Sequence, residues 1–586
     1  MQDGSIESNS EFRVGQRVHS VGDPRRTGTV KYVGPIQGYS GTWVGVDWDS
    51  GDAKHDGSVN GFRYFRARSD RSGSFVRAHS LSPGISLLEA LQLRYRGHST
   101  KEEEDDMYVL SASNKRVSIQ LVGKDKIQDK LSRFEELTGA SLSYMDVSTP
   151  GVPCQIGTTV PKLKELDLTG NLLSEWKDLG TICDELPSLA ALNISNNLML
   201  LEICELPQLK SIRILVLNNT GINWKQIEIL KDSLPAIEEL HLIGNTISTI
   251  LPTSSFVVRG FDSLRLLNLD DNCIAEWDEI LKLSQLRSLE QLYLNKNNLN
   301  RIYYPNKNRM PEFLGGNELQ KESPMPFENL CCLLLGGNNI EDLTSVDSLN
   351  TFPKLVDIRL SENPVADPGR GGIPRFVLVA RLAKVEILNG SEVSPRERKD
   401  SEIRYVRLIM SKLQDNPEEI KLLHPRFAEL KKSHGIEDEK PLVGATGPQK
   451  MASGLLSITL KCVGPSIGEK PPLTKKLPAT TTVGKLKILC ESFFKLKSIK
   501  PKLFLQEEGS PLPMLLEDEM DSLMDLGIGN ETTILQIYLT RQKTDLDLCR
   551  NWYCGVLLLS SKLRVSPPPT PADGVTGQLL TVIRKK

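Results

Sequence analysis

The sequence predicts a multidomain chain: a small β-barrel-like domain, an α/β solenoid with a helical C-terminal cap, and an α+β domain of the β-grasp type. Three observations predict this order. Glycines separate short β-prone runs near the N-terminus, a leucine-containing motif repeats through the middle, and strand patterns surround one amphipathic helix near the end. At 586 residues the chain exceeds the roughly 250–300 residues that one core supports.

The composition is that of a soluble protein, with 25% charged and 39% hydrophobic residues. The formal net charge of −2 disfavours nucleic-acid binding, which needs a basic surface. The first twenty residues are polar and no run of about 18 apolar residues occurs, so we expect no signal peptide, no membrane span and a cytoplasmic location. Ten cysteines are scattered without paired CxxC elements, so we expect no metal site and no cofactor.

Residues 10–82 form the predicted β domain. Its β-prone runs, such as Trp43-Val-Gly-Val-Asp-Trp48, are short and split by glycine, a pattern typical of small barrels. Between Ser10 and Leu81, eleven Lys or Arg residues stand against seven Asp or Glu residues, a net charge of +4. A basic domain in a nearly neutral chain indicates an acidic ligand.

Residues 83–140 are predicted to be an acidic connector. They contain five consecutive acids, Glu102 to Asp106. Such a run is usually a solvated linker, and an inhibitory contact with the neighbouring basic domain is the alternative.

Residues 141–390 repeat the motif L-x-x-L-x-L-x-x-N-x-L, which predicts a leucine-rich-repeat solenoid. Each copy contributes one short parallel strand, and the Asn side chains are expected to form a hydrogen-bonded ladder with the backbone of neighbouring turns. The one long spacing, 41 residues, indicates an insertion at about 301–326. The eight copies have these residues in the Asn place: Asn171, Asn197, Thr220, Asn245, Asn272, Asn297, Asn338 and Asn363.

Residues 391–440 are predicted to be the helical cap and a linker. Ser394, Pro395 and Glu397 have the order expected of a helix start. Such helices can close the open end of a solenoid.

Residues 452–540 contain the predicted order ββαββ, with an amphipathic helix from Thr482 to Lys497. This order resembles a ubiquitin-like domain. Residues 541–586 show no helical or strand period and contain a proline cluster, so we expect a disordered tail.

No catalytic signature occurs: the chain lacks GxxxxGK[ST], HExxH and GxSxG, so we expect a non-enzyme. The variable strand positions of the repeats, on the predicted concave face, contain nine acids and five bases. This net charge of −4 suits a protein partner. The candidate partner surface consists of Glu238, Glu239, His241, Asp270 and Asp271.

The first module contains Ala53-Lys-His-Asp-Gly57, then Ser58-Val-Asn-Gly-Phe-Arg-Tyr-Phe65 and Gly73-Ser-Phe-Val-Arg77. These segments resemble the CAP-Gly signature, which implies recognition of acidic C-terminal tails ending in Glu-Glu-Tyr/Phe, as on α-tubulin. Ala53 replaces the first glycine of the signature, which is harmless at negative φ and costly at positive φ. The residues that the resemblance points to are Trp43, Lys54, His55, Asp56, Gly57, Phe75 and Arg77.

In this site we expect Lys54 to pair with a ligand carboxylate and His55 to donate a hydrogen bond. Trp43 and Phe75 are expected to form the walls of a pocket for the terminal ring of the ligand, and the alternative is that both are core residues.

The order of the three modules, with Ser401-Glu-Ile-Arg-Tyr-Val406 and His424-Pro-Arg-Phe-Ala-Glu-Leu430 between the second and third, resembles the tubulin-folding cofactor E family. The resemblance implies a cytoplasmic, cytoskeleton-associated protein that captures α-tubulin and, with cofactors D, C and B, assembles or dissociates the α/β-tubulin heterodimer. Two alternatives stay open: a microtubule-end adaptor, and a ubiquitin-pathway shuttle that docks on the proteasome.

Overall fold

The computed structural model describes most of the three predicted modules. The acidic run Glu102–Asp106, most of the insertion and the predicted tail 541–586 lie outside the described residues. None of the helices in the described part is long and apolar enough to cross a membrane. The described residues are 12–96, 108–110, 116–118, 131–203, 205–251, 257–305, 325–367, 372–412, 418, 422–436, 455–463, 471–478, 480–495, 502–506, 514–516, 519, 522–523, 526, 528 and 532–537.

The N-terminal domain is an antiparallel sheet in the order β6-β3-β2-β1-β7, with the small hairpin β4–β5 beside it. Its core contains Val18, Val30, Val44 and Val46, which alternate with residues of the opposite sheet face. The predicted small β domain is confirmed. The strands are β1 (Arg17–Ser20), β2 (Asp23–Ile36), β3 (Tyr39–Trp48), β4 (Ser58–Val59), β5 (Phe62–Arg63), β6 (Gly73–Val76) and β7 (Leu81–Ser82).

The solenoid is an eleven-stranded sheet in which short strands pair in parallel and in sequence order, except for the last strand, which pairs antiparallel. The predicted solenoid is confirmed. The sheet strands are β11 (Gly139–Ser141), β13 (Glu165–Asp167), β14 (Ala191–Asn193), β15 (Ile214–Val216), β16 (Glu239–His241), β17 (Leu266–Asn268), β18 (Gln291–Tyr293), β19 (Cys332–Leu334), β20 (Asp357–Arg359), β21 (Ile387–Leu388) and β22 (Ser391–Glu392).

Short helices follow several strands on the other side of the core. Three of them begin at a tryptophan, and the indole N–H groups of Trp176 and Trp277 donate to backbone oxygens of the next repeat, Leu200 O and Tyr303 O. The helices of this region are α2 (Ile156–Thr159), α3 (Trp176–Glu185), α4 (Trp224–Leu230), α5 (Trp277–Leu281) and α6 (Leu343–Ser348).

The predicted Asn ladder is present. The Asn272 amide donates to Leu242 O at 3.0 Å and Leu269 O at 3.1 Å, and its oxygen accepts from Ile247 N at 2.9 Å. Thr220, which stands in the Asn place, donates its hydroxyl to Leu217 O at 2.9 Å and to Asn245 Oδ1 of the next repeat at 3.2 Å. The residue before each ladder position has a positive φ, for example 55° at Asp271, so the chain turns sharply where each strand ends.

The structure moves the boundary between the connector and the solenoid. Strand β8 (Ile85–Ser86) pairs with β12 (Val147–Thr149), and helix α1 (Leu87–Arg96) places Leu87 and Leu91 in the solenoid core. Phe134 and Ala140 join the same core. Both ends of the predicted connector 83–140 therefore form the first layer of the solenoid, because an open solenoid end needs an apolar cover. Between them, β9 (Tyr108–Leu110) pairs with β10 (Arg116–Ser118).

The helical cap consists of α7 (Arg375–Arg381), α8 (Pro395–Lys412) and α9 (Phe427–Ser433), and it begins before the predicted start at residue 391, because α7 lies within the range predicted for the solenoid. Helix α8 begins where expected, and the Ser394 hydroxyl accepts from Glu397 N at 3.1 Å. The Glu397 carboxylate instead pairs with the buried Arg375 guanidinium at 2.7 Å. This ion pair joins α7 to α8.

The C-terminal domain has the strand order β24-β23-β27-β25-β26, with β23 parallel to β27 and one helix between β24 and β25. The predicted ββαββ order is thus extended by the short strand β26, and the predicted ubiquitin-like fold is confirmed. Its elements are β23 (Leu455–Val463), β24 (Leu473–Pro478), α10 (Val483–Phe494), β25 (Lys502–Gln506), β26 (Met514–Leu516) and β27 (Thr532–Ile537).

Candidate protein-interaction sites

The sheet of the N-terminal domain separates its core from an aromatic face. Gly45 pairs with both Tyr32 and Phe75, and Trp43 pairs with Gly34. Because paired residues and alternate residues of a strand share one face, these side chains lie opposite the valine core. The predicted residues Trp43, Phe75 and Arg77 are therefore on one surface.

Phe75 is at the centre of an aromatic cluster. Its ring centroid lies 5.2 Å from Phe65, 5.6 Å from Tyr64 and 6.3 Å from Tyr32, in edge-to-face arrangements. The His55 ring lies 6.2 Å away. Gly45 makes room for the cluster, since a Cβ there would be 2.5 Å from the Phe65 ring. Phe75 is half-buried and His55 is exposed, so part of the cluster is open to solvent.

The loop from Ala53 to Gly57 places two polar side chains beside this cluster. His55 and Gly73 exchange backbone hydrogen bonds of 3.0 and 2.7 Å, which fix the loop to β6. Lys54 and His55 are exposed, whereas Gly57 is buried with φ of 96° and a Cβ there would overlap Phe65 O. Ala53 is buried and has no positive φ, so its replacement of glycine costs no backbone strain.

Asp56 stabilises the loop. Its carboxylate accepts from Ser58 N at 3.0 Å and pairs with Arg63 at 2.8 Å. The backbone N–H and the hydroxyl of Ser58 lower the pKa of Asp56 below its usual range, with Arg63 adding a smaller effect. The sequence could not separate this structural role from ligand binding.

Trp43 lies in a second aromatic group, apart from the Phe75 cluster. The Arg77 guanidinium stacks over its ring at 3.8 Å, and the Tyr39 ring lies 5.9 Å away. Arg77 also donates to Thr42 O at 3.1 Å and Ser40 O at 2.7 Å. The expectation that Trp43 and Phe75 together form one pocket is thus replaced by two neighbouring groups on the same face. Tyr32, Tyr64 and Phe65 were not predicted as site residues, although the alternation of β2 and the spacing from Gly57 could have indicated them.

On the solenoid, the first and third residues of each sheet strand point away from the core, and we call this surface the strand face. Glu239 and His241 lie on it, with the His241 Nε2 3.6 Å from a Glu239 oxygen. Glu238 precedes the strand and pairs with Arg213 at 2.5 Å. Glu290 pairs in the same way with Arg265 at 2.9 Å. Two of the expected acids are therefore paired with bases of adjacent repeats.

Asp270 and Asp271 lie in the turn after β17, outside the strand face. Asp270 accepts from Asn295 N at 2.7 Å and from the Asn295 amide at 3.0 Å. Burial raises the pKa of Asp270 despite these hydrogen bonds. Both residues thus shape the turns between repeats, and their role as partner contacts stays a prediction.

The described part of the chain contains no group of three or more His, Cys, Asp or Glu side chains close enough to hold a metal ion. The buried thiols of Cys183 and Cys490 have pKa values raised to about 12 by desolvation. Neither is a ready nucleophile.

Comparison with known proteins covers almost the whole chain. Residues 14–81 match the family model of the CAP-Gly domain. The tubulin-folding cofactor E of Arabidopsis thaliana is 65% identical over 529 residues, which is 90% of this chain and 98% of the relative. The tubulin-specific chaperone E of Danio rerio is 32% identical over 508 residues, 84% of this chain and 92% of the relative. That of Homo sapiens is 27% identical over 546 residues, 89% and 98% of the two chains. The chain therefore belongs to the tubulin-folding cofactor E family.

Proposed function

We propose that this chain is a non-catalytic tubulin cofactor that binds α-tubulin and, with cofactors D, C and B, assembles and dissociates the α/β-tubulin heterodimer. The observation that carries the proposal is the 65% identity over 98% of a relative named for tubulin folding. In this role the protein would be located in the cytoplasm, associate with the cytoskeleton and support the organisation of microtubules.

The aromatic face of the N-terminal domain binds the acidic tail of α-tubulin. Lys54 is exposed beside the Phe75 cluster and forms no ion pair with any described residue, so its ammonium is available to a carboxylate. His55 supplies a hydrogen-bond donor, and the half-buried Phe75 edge contacts the terminal ring. Gly57 allows the loop to pack closely against the backbone of Phe65, and we assign it no contact with the ligand.

The C-terminal domain acts as a docking surface. Its sheet and helix form their own core, which includes Ile458, Leu486 and Ile534. We propose that this domain binds another tubulin cofactor. The alternative is that it binds the proteasome. Assembly assays on chains that lack 541–586 or 452–586 separate the two: full activity without 452–586 would favour the proteasome.

A titration with an acidic, tyrosine-ended peptide tests the tail site. Lys54→Ala should weaken binding by about 1–3 kcal/mol, the range for a charge-assisted hydrogen bond. Arg25→Ala, which removes another exposed cation of the same domain, is the matched control and should change little. Added salt should weaken the wild-type complex. An unchanged affinity of Lys54→Ala would refute the assignment, and binding only to polymerised tubulin would favour a microtubule-end adaptor.

A further inference from the structure

The link between the N-terminal domain and the solenoid is short and packed. Only Pro83 and Gly84 separate β7 from β8, and β8 already pairs with the solenoid strand β12. Gly84 has a φ of 83°, and a Cβ there would lie 2.4 Å from Asp146 O. Ile85 N donates to the same carbonyl oxygen at 2.9 Å. The link therefore differs from a flexible linker, which would let the two modules move independently.

Two polar contacts connect the body of the N-terminal domain directly to the solenoid. The side chain of His19, in β1, is buried, and its Nε2 lies 3.5 Å from an Asp146 carboxylate oxygen. The Arg13 guanidinium pairs with the Glu175 carboxylate at 3.0 Å. Because the Arg13 side chain is exposed, this ion pair is weak by itself and acts together with the packed link.

The solenoid residues of this junction belong to three successive turns. Asp146, Glu175 and Leu200 lie in segments that hydrogen bonds such as the one from Leu200 N to the carbonyl oxygen before Glu175 join in order. Leu200 lies beside Gly15, where a Cβ would be 3.9 Å from both Leu200 methyl groups. Contacts on three turns prevent the N-terminal domain from rotating about the link, which a single covalent link would permit.

We propose that this junction holds the tail site, around Lys54 and Phe75, at a fixed orientation to the solenoid, so that the tail and the body of one α-tubulin chain bind at the same time. This inference rests on the proposed function. A second contact within one complex forms at high effective concentration when the spacing of the two sites matches the ligand. A rigid arrangement also loses less entropy on binding. Asp146 and Glu175 are then positioning residues, since neither belongs to the tail site.

Two titrations of the full chain test the proposal, one with the acidic, tyrosine-ended peptide and one with α/β-tubulin. Glu175→Arg should leave the peptide affinity unchanged and weaken tubulin binding at least about threefold, because its contact with Arg13 becomes repulsive. Combining Glu175→Arg with Arg13→Glu should restore tubulin binding. Asp400→Arg, which reverses one charge of an exposed ion pair on α8, is the control and should bind both ligands as the wild type does.

A second variant tests the same point without relying on one ion pair. A spacer of about ten Gly and Ser residues between Ser82 and Pro83, combined with Glu175→Arg, should loosen the junction without changing a contact inside either module. Tubulin binding should fall about tenfold or more, while the peptide affinity stays unchanged.

The outcomes separate the inference from the proposed function. If the wild-type chain binds no tubulin, the proposed function fails, and this inference fails with it. If the wild type binds but the spacer variant binds tubulin equally well, the function stands and the inference is wrong. A loss of peptide affinity that equals the loss of tubulin affinity would also overturn it. Weaker tubulin binding of Glu175→Arg that Arg13→Glu does not restore would place Glu175 in the tubulin contact itself and contradict its positioning role.

Discussion

The ion pair between Arg381 and Asp347 ties the helical cap to the last repeats, and we expect its disruption to be costly. Arg381 is 1% exposed. Its guanidinium donates to the Asp347 carboxylate from Nε at 2.9 Å and from Nη2 at 2.5 Å. It also donates to Leu423 O and to the Tyr405 hydroxyl. Asp347→Ala leaves this buried cation without its counter-charge, which typically costs about 3–5 kcal/mol.

The ion pair as a whole should contribute much less to the free energy of unfolding than the cost of Asp347→Ala suggests. Burial raises the pKa of Asp347 even though Arg381 lowers it, so desolvation outweighs the attraction. Replacing both partners, as Asp347→Leu with Arg381→Met, should therefore destabilise the chain less than the sum of the two single changes.

Urea unfolding followed by tryptophan fluorescence measures this, because Trp176, Trp224 and Trp277 are buried in the solenoid. Arg396→Ala, which removes an exposed pair with Asp400 on α8, is the control and should cost less than about 1 kcal/mol. A loss below about 1 kcal/mol for Asp347→Ala, or additive single changes, would refute the reasoning.

Three further predictions concern the ladder, the tail-binding loop and pH. Asn272→Ala should destabilise the solenoid by about 3 kcal/mol or more in the same urea assay, because several buried backbone groups lose their partners; a loss similar to that of an exposed Asn would contradict the ladder. Gly57→Ala should abolish binding of the tyrosine-ended peptide, because its Cβ would overlap Phe65 O at a positive φ, whereas Ala53→Gly should bind normally in the same titration. Burial, with Glu175 nearby, raises the pKa of Asp178 from 3.8 to about 6. The folded chain therefore holds this proton more tightly than the unfolded chain, and stability should fall as pH rises from about 4 to about 6. Asp178→Asn should remove that fall and add about 1 kcal/mol at pH 7, a value reduced for partial exposure; an unchanged pH profile of the melting temperature would contradict the shift.

The repeat architecture was predictable because its signal is local. The leucine spacing and residues such as Asn272 and Asn363 report directly on strand, core and ladder, and each copy reinforces the others. The first layer was not predicted, since α1 and Phe134 are far apart in the sequence, with the acidic run Glu102–Asp106 between them, and join one core only in the folded chain. The sequence indicates each helix or strand, but it does not show which hydrophobic core that element packs into.

For the N-terminal domain, the sequence identified most of the candidate site residues but not how they are arranged in space. The segment around Lys54 identified the loop, and the register of β2, β3 and β6 was needed to find Tyr32 and Tyr64. On the strand face, the count of acids and bases gave a net charge but not the place of each charge, because Glu238 pairs with Arg213 on the neighbouring repeat and Asp270 lies in the turn after β17. Net charge along a sequence does not reveal such pairs, which form between residues 25 positions apart.

Binding of purified α/β-tubulin tests the central claim most directly. The full chain and the heterodimer are mixed at micromolar concentration and separated by size-exclusion chromatography. The account predicts a complex that contains α-tubulin, or release of free subunits, and a smaller yield of both with Lys54→Ala. Heterodimer and chain that elute unchanged and separately, with wild-type and variant alike, would contradict the assignment of this chain as a tubulin cofactor.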